Sequence, residues 1–290
     1  MVRMLRRNLQ VNTLLVNLAL LAIIVFCLLP FVWSVSSSLK GRDELFQTLP
    51  SLLPKAPTLG NYQWIFTRRD MSMIPLNMYN SFKVAFIAVT IQTTLATMAG
   101  YAFARLDFRG RDLIFYTFIL LIFIPRAGGL MALYELMDFL NLRNSHFGLA
   151  LLYASGMSTA IFIMKQTFLG VPREIEESAI IEGANTWQVF LNVAMPLAKS
   201  GMVVVALFEV LYVWGEYLIA RTLLDFPEID TLSVAVSKVN GWSALFTSSA
   251  FSTYGAEAAV HVVAMLPVIV IFIVMQKWFI RGLTDGVLKM

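Results

Sequence analysis

The chain has 290 residues, of which 58% are hydrophobic and only 14% charged, with a mean hydropathy of +0.73. A soluble domain of this length cannot hide that much apolar surface from water, so the sequence reads as an integral membrane protein. The net charge of +4 and the pI near 9.2 come from basic residues scattered at the ends of apolar runs, with no basic stripe, which excludes nucleic acid as a partner; the single Cys27 excludes a disulfide framework and a cysteine metal site.

Arg3, Arg6 and Arg7 precede an uncharged stretch from Asn8 to Leu39. That is well beyond the roughly 20 residues that cross a bilayer, too long for the apolar region of a signal peptide, and without a clean Ala-x-Ala site. A first span is therefore expected over residues 11–35, within an N-terminal segment 1–38. Residues 39–80 carry Pro50, Pro54, Pro57, Gly60 and the charged trio Arg68, Arg69 and Asp70. They read as an external segment, with Phe46, Tyr62, Trp64 and Ile65 at the interface that aromatic rings favour. Five further spans follow in residues 81–290. The second covers 82–104, and Arg105, Arg109 and Arg111 crowd the short turn after it, which the positive-inside rule places in the cytoplasm. The third begins at Leu113, yet Arg126 arrives after only about 20 Å of helix, short of a hydrocarbon core of about 30 Å. Either Arg126 snorkels to the outer interface, or Pro125, Gly128 and Gly129 break the helix and Arg126 faces protein or a water-filled cavity at depth. An outer loop at 134–146 leads to a fourth span, 147–168, rich in small residues that let helices pack closely in lipid.

The stretch 172–197 is the one place where the chain looks built to touch another protein. Pro172 suits the first turn of a helix, and Glu174, Glu176 and Glu177 put negative charge at its positive end. That helix is expected over 174–182. Gly183 fits its stop, Asn185 or Thr186 caps a second short helix, Trp187, Phe190, Leu191 and Ala194 recur at i, i+3, i+4 and i+7, and Pro196 ends it. Two short helices around a glycine make a knob suited to a cleft in a soluble partner; the alternative is an amphipathic pair lying on the membrane. The fifth span, 201–220, carries Glu209 and Glu216 two helical turns apart, with Tyr212 between them and Trp214 and Tyr217 close by. A carboxylate at mid-bilayer costs about 2.5–3.5 kcal/mol, so both should face an interior. Such a face suits a sugar, whose C–H surfaces rest on rings while its hydroxyls bond carboxylates; a structural role between helices is the alternative. Residues 225–253 form a second outer segment. The sixth span, 258–279, contains His261, read as an interfacial residue, and Lys277 and Arg281 mark a cytoplasmic end. The expected fold is thus all-α, with six transmembrane helices, both termini cytoplasmic, and a cytoplasmic two-helix loop between spans four and five. The chain has no G-x-x-x-x-G-K-[ST] loop, no G-x-S-x-G elbow, no H-E-x-x-H and no metal-ligand cluster, so nothing argues for catalysis.

Glu177, Ser178, Ala179, Gly183, Val193, Met195 and Pro196 stand where the EAA loop of binding-protein-dependent ABC importer permeases has Glu-Ala-Ala, Gly, Ile and Leu-Pro, and the stretch resembles that loop. Trp214 to Tyr217 resemble the Trp-Asn-Glu-Phe of carbohydrate permeases, with Gly215 and Tyr217 departing from it, and Gly282, Leu283, Thr284, Gly286 and Lys289 resemble the tail of maltose-type permeases. The resemblance implies a permease subunit that moves a carbohydrate across a bacterial inner membrane. It implies as partners a second, similar permease, two ATPase subunits that bind the ATP and magnesium, and an extracytoplasmic solute-binding protein, with no cofactor in this chain. The coupling residues would be Glu177, Ser178, Ala179, Gly183, Trp187, Phe190 and Pro196. On the residues' own chemistry, the substrate path is expected along Glu209, Tyr212, Trp214, Glu216 and Arg126, the arginine leaving room for an acidic glycan. An ion-coupled secondary transporter and a non-transporting membrane scaffold are the competing classes.

Overall fold

The structure, a computed structural model, describes residues 2–45, 51–67, 73–126, 128–242 and 253–285; Phe46, Pro50, Arg68, Arg69, Asp70, Gly286 and Lys289 lie outside them. All regular elements among the described residues are helical. Backbone contacts group residues 1–72 with 236–263, and residues 73–235 with 264–290.

In the first group, α1 (Val2–Ser38) is apolar all round from Leu15 to Val35 and exposes its side chains along that run, as a helix does when lipid or another chain is its surroundings. Its last carbonyls have no partner within the helix, and α2 (Gly60–Thr67) supplies donors: Asn61 Nδ2 reaches Ser38 O and Lys40 O, both at 2.9 Å. Ser38 Oγ and Tyr62 OH bond at 2.7 Å. Ile65, expected at the interface, is fully buried. In the connecting segment the Glu44 carboxylate accepts from Lys55 N at 2.7 Å and Ser51 Oγ at 3.0 Å, and Lys40 Nζ donates to Ser51 O.

The second group is organised around α3 (Ile74–Arg105), whose buried face carries Ala85, Ala88, Ala96, Gly100 and Ala104. Such small residues bring neighbouring helices to near backbone contact. At its N-terminal end Asn77 and Asn80 donate to the carbonyls of Pro227, Glu228 and Asp230, and Leu232 N donates to Ser81 Oγ, so residues 227–232 are clamped to α3. Then come α4 (Arg111–Leu121), α5 (Leu130–Phe139), α6 (His146–Ser155), α7 (Ser158–Leu169), α8 (Arg173–Ile181), α9 (Thr186–Leu197), α10 (Lys199–Gly215), α11 (Leu218–Leu223), α12 (Leu232–Trp242) and α13 (Thr253–Asp285), the last two running across both groups.

Among the described residues, helices at Leu15–Ser38, Ile74–Arg105 and Tyr254–Lys277 are long and apolar enough to cross a membrane, and the bent pairs α6/α7 (55°) and α9/α10 (73°), each taken as one span, raise the number to five. Six spans were expected, the third of them either ending early or broken at Pro125–Gly129, and this number goes beyond the helices that pass by length and composition. Where the third was expected, α4 has 11 residues, about 16 Å, and Gly129 at φ 77° starts α5 after a break.

Candidate functional site

The loop of residues 172–197 folds as two short helices set at the end of α3. Asn185 caps α9 reciprocally: its Oδ1 accepts from Gln188 N and its own N–H donates to Gln188 Oε1, each at 2.9 Å. Gly183, between the helices, has φ +95°, the left-handed region in which an L side chain is strained, and nothing lies within 4 Å of where its Cβ would be. The need for glycine here is a matter of backbone, not of packing. Residues Phe190–Ala194 widen into a π-turn just before Pro196, which lacks an N–H and whose ring would crowd the carbonyl of Asn192 in a regular helix. The helix then ends at Leu197, one residue beyond Pro196.

The expected apolar stripe of α9 divides. Phe190 and Ala194 are buried within the chain, Phe190 packed at 4.9 Å from the Tyr101 ring, while Trp187 is exposed. With Ile180 and Ile181, exposed by 56% and 86%, Trp187 forms the outward apolar surface of the knob. Glu177 is exposed beside it, and Ser178 Oγ donates to Glu174 O at 2.7 Å. A residue that sequence reasoning passed over fixes the knob in place. Glu176, read there only as a helix-dipole charge, is buried; its Oε1 accepts from Arg105 Nε at 2.7 Å and its Oε2 lies 3.3 Å from Tyr101 OH. Arg105 Nη2 also donates to Val171 O at 2.6 Å. The last turn of α3 is thereby joined to the first turn of α8 by a buried ion pair across 71 residues of sequence.

A second polar cluster lies between α3, α7 and α10. Arg126, in the break between α4 and α5, is held by groups of the chain itself. Its Nη1 donates to Glu209 Oε2 at 3.1 Å, its Nη2 to Gly156 O at 2.6 Å, and its guanidinium sits 4.1 Å from the Tyr212 ring centroid. The reason is visible in α6 and α7: their break frees the Gly156 carbonyl from helical pairing, and such a group inside a protein must find a donor. A Cβ at 156 would come within 2.3 Å of Arg126 Nε, so a larger residue there would have to displace the arginine side chain. Glu209 is 2% exposed and Gln92 Nε2 donates to its Oε2 at 2.8 Å. Glu209 Oε1 is buried without a hydrogen-bond partner among the described residues. Gln92, Arg126, Thr159, Phe208 and Glu209 line a cavity of about 160 Å³ here.

Of the other expected path residues, Glu216 and Trp214 bond to partners other than Arg126 and Glu209. α10 ends at Gly215, so Glu216 does not continue the face of Glu209; its carboxylate accepts from Tyr153 OH at 2.5 Å and from Ile219 N and Ala220 N, holding the start of α11. Trp214 is buried against Phe82, and its Nε1 donates to Ala264 O of α13 at 3.0 Å, a contact between helices. Tyr212 is half-buried between Arg126 and Tyr153 and stays with the cluster. The sequence marked Gln92 in no way, since a glutamine within an apolar run has no spacing that names its partner.

The family model of binding-protein-dependent transport system inner membrane components matches residues 44–285. The galactooligosaccharides transport system permease protein GanQ of Bacillus subtilis is 32% identical over 93% of this chain and 92% of its own length. The maltose/maltodextrin transport system permease protein MalG of Vibrio parahaemolyticus is 31% identical over 93% of each chain. Among solved structures, a chain of a bacterial ABC transporter involved in the import of the acidic polysaccharide alginate shares the fold, with a TM-score of 0.80 over 91% of this chain and 95% of that one at 23% identity. With the family model spanning most of its length, this chain belongs to the inner membrane components of binding-protein-dependent transport systems.

Proposed function

We propose that the chain is the permease subunit of an ATP-driven importer that carries a carbohydrate across the bacterial cytoplasmic membrane. The observation that carries this is the knob of α8 and α9: an exposed apolar surface of Ile180, Ile181 and Trp187, held rigidly to the membrane-crossing α3 by the Arg105–Glu176 pair. A surface fixed in that way is suited to receive the movement of a separate ATPase and pass it to the helices. The sugars in the names of GanQ and MalG support a carbohydrate as cargo. In this reading both termini are cytoplasmic, α4, the break and α5 together serve as the third of six spans, and the exposed apolar surface of α1 meets lipid and a second, similar permease. Two ATPase subunits with their ATP and magnesium, and an external binding protein, complete the assembly. The substrate path passes Arg126, Glu209 and Tyr212.

Gly183→Asp tests the coupling role. A side chain at φ +95° costs about 1–2 kcal/mol, enough to distort the turn without unfolding the membrane helices. Inserted protein should reach its usual level while ATP-dependent uptake in vesicles is lost and the ATPase co-purifies poorly. Normal uptake by this variant would count against the docking role.

A further inference from the structure

We infer that a cleft at the ends of α1 and α13 holds the headgroup of a phospholipid that ends in a primary ammonium, as phosphatidylethanolamine does. Its walls belong wholly to the group of residues 1–72 with 236–263. Trp33, Ser34 and Ser37 come from the last turns of α1, and Tyr254, Glu257 and His261, spaced by three and four, from one face of the first turns of α13. They line a cleft of about 600 Å³, within the roughly 300–1,000 Å³ of pockets that take small molecules.

The polar groups of this cleft are acceptors. Glu257 is half-buried, and among the described residues no donor pairs with its carboxylate. The Glu257 carbonyl, which can only accept, takes the Nδ1–H of His261 at 2.8 Å, and the neutral ring is left with Nε2 as an acceptor. Ser34 Oγ donates its one proton to Pro30 O at 2.9 Å and so can only accept as well. Among the described residues that line the cleft there is no lysine or arginine. Lys40 stands nearby, but it is 2% exposed and donates to Ser51 O, so it does not compete for Glu257. A primary ammonium matches this set, because it offers three N–H donors, accepts nothing and brings the charge that Glu257 lacks. The Trp33 and Tyr254 rings add faces that attract a cation, as Trp33 already does with Lys40 Nζ at 5.0 Å from its centroid.

The position of the cleft points to lipid as the source of that ammonium. The apolar run of α1 that can cross a membrane ends at Ser38, and that of α13 begins at Tyr254, so the cleft lies at headgroup depth, where aromatic rings are favoured. Phe26 and Leu29, seven and four residues before Trp33, share its face of α1 and are 78% and 48% exposed. They continue the cleft as an apolar track for an acyl chain, which a soluble amine would leave unused.

The test uses the assembled transporter, stripped of lipid in detergent and titrated with phosphatidylethanolamine, phosphatidylcholine and phosphatidylglycerol of identical chains, bound lipid being counted by native mass spectrometry. Phosphatidylethanolamine should bind most tightly. Glu257→Gln should weaken it about tenfold, as loss of hydrogen bonds to a charged group does, and should change the other two less than about twofold. Phosphatidylcholine is the sharper control, since its nitrogen is a cation without N–H. Glu257→Lys should reverse the order in favour of phosphatidylglycerol. Glycerophosphoethanolamine, the headgroup without chains, should not compete at equal concentration. In a chain that keeps Glu257, a photo-crosslinking residue in place of Ala258, on the cleft wall, should capture phosphatidylethanolamine. An unchanged affinity in Glu257→Gln, or equal weakening of phosphatidylethanolamine and phosphatidylcholine, would overturn the inference. So would competition by the soluble headgroup, which would give the cleft to a soluble amine, or crosslinks from position 258 to the second permease, which would show that protein covers it.

Discussion

Replacing Arg105 by Met tests the tether between α3 and the knob of α8 and α9. The Arg105 and Glu176 side chains are only 7% and 8% exposed, so this is a buried pair and not a surface one. Removing one member of such a pair costs about 3–5 kcal/mol, because the other charge stays buried without its partner. The lower end applies here, since Tyr101 OH remains within 3.3 Å of Glu176. About 3 kcal/mol amounts to a factor of roughly 100 in the population of the detached knob. Hydrogen exchange reads that population when opening is fast and local. In the reconstituted complex the amides of Glu182, Gly183 and Ala184, which bond to Ser178, Ile180 and Ala179, should exchange roughly 100-fold faster in Arg105→Met, while amides in the middle of α3 are unchanged. Arg111→Met is the control: its partner Asp107 is 95% exposed, and a surface pair of that kind is worth at most about 1 kcal/mol. A change of less than about threefold in Arg105→Met, or equal changes in both variants, would show that the pair does not hold the knob.

Glu216→Gln should lower the thermal stability of the purified complex by about 1.5–3 kcal/mol, the worth of charge-assisted bonds to Tyr153 OH and the α11 amides, and leave the half-saturating sugar concentration unchanged; a shifted half-saturation with intact stability would return Glu216 to the substrate path. The hydrogen bond from Lys55 N, with Ser51 and Ala56 adding to it, holds the Glu44 carboxyl below its ordinary value of 4.5. A depressed carboxylate contributes order that is complete above that value and lost as the pH falls through the folded one, so exchange of the Lys55 and Ala56 amides should accelerate only below pH 4.5, and Glu44→Gln should remove the pH dependence. Acceleration starting near neutral pH would exclude Glu44 as its source.

The helices and the knob were legible in the sequence because their codes are local. An uncharged run longer than a bilayer is thick can only be a spanning helix, and α1, α3 and α13 fall where apolar runs placed them. Gly183 and the Asn185–Gln188 capping box likewise act within a few residues of themselves, so their types announce their role.

What only the tertiary structure decided is which polar group meets which. Arg126 and Glu209 are 83 residues apart, Gln92 and Glu209 117, and Arg105 and Glu176 71. The sequence shows that each buried charge needs a partner, but helices in lipid can rotate and slide until the register of their small residues fixes which side chains face one another. Hence Glu209 and Glu216, two turns apart on paper, bond to different partners once α10 stops at Gly215, and Arg126 reaches the Gly156 carbonyl that the break after α6 leaves in need of a donor.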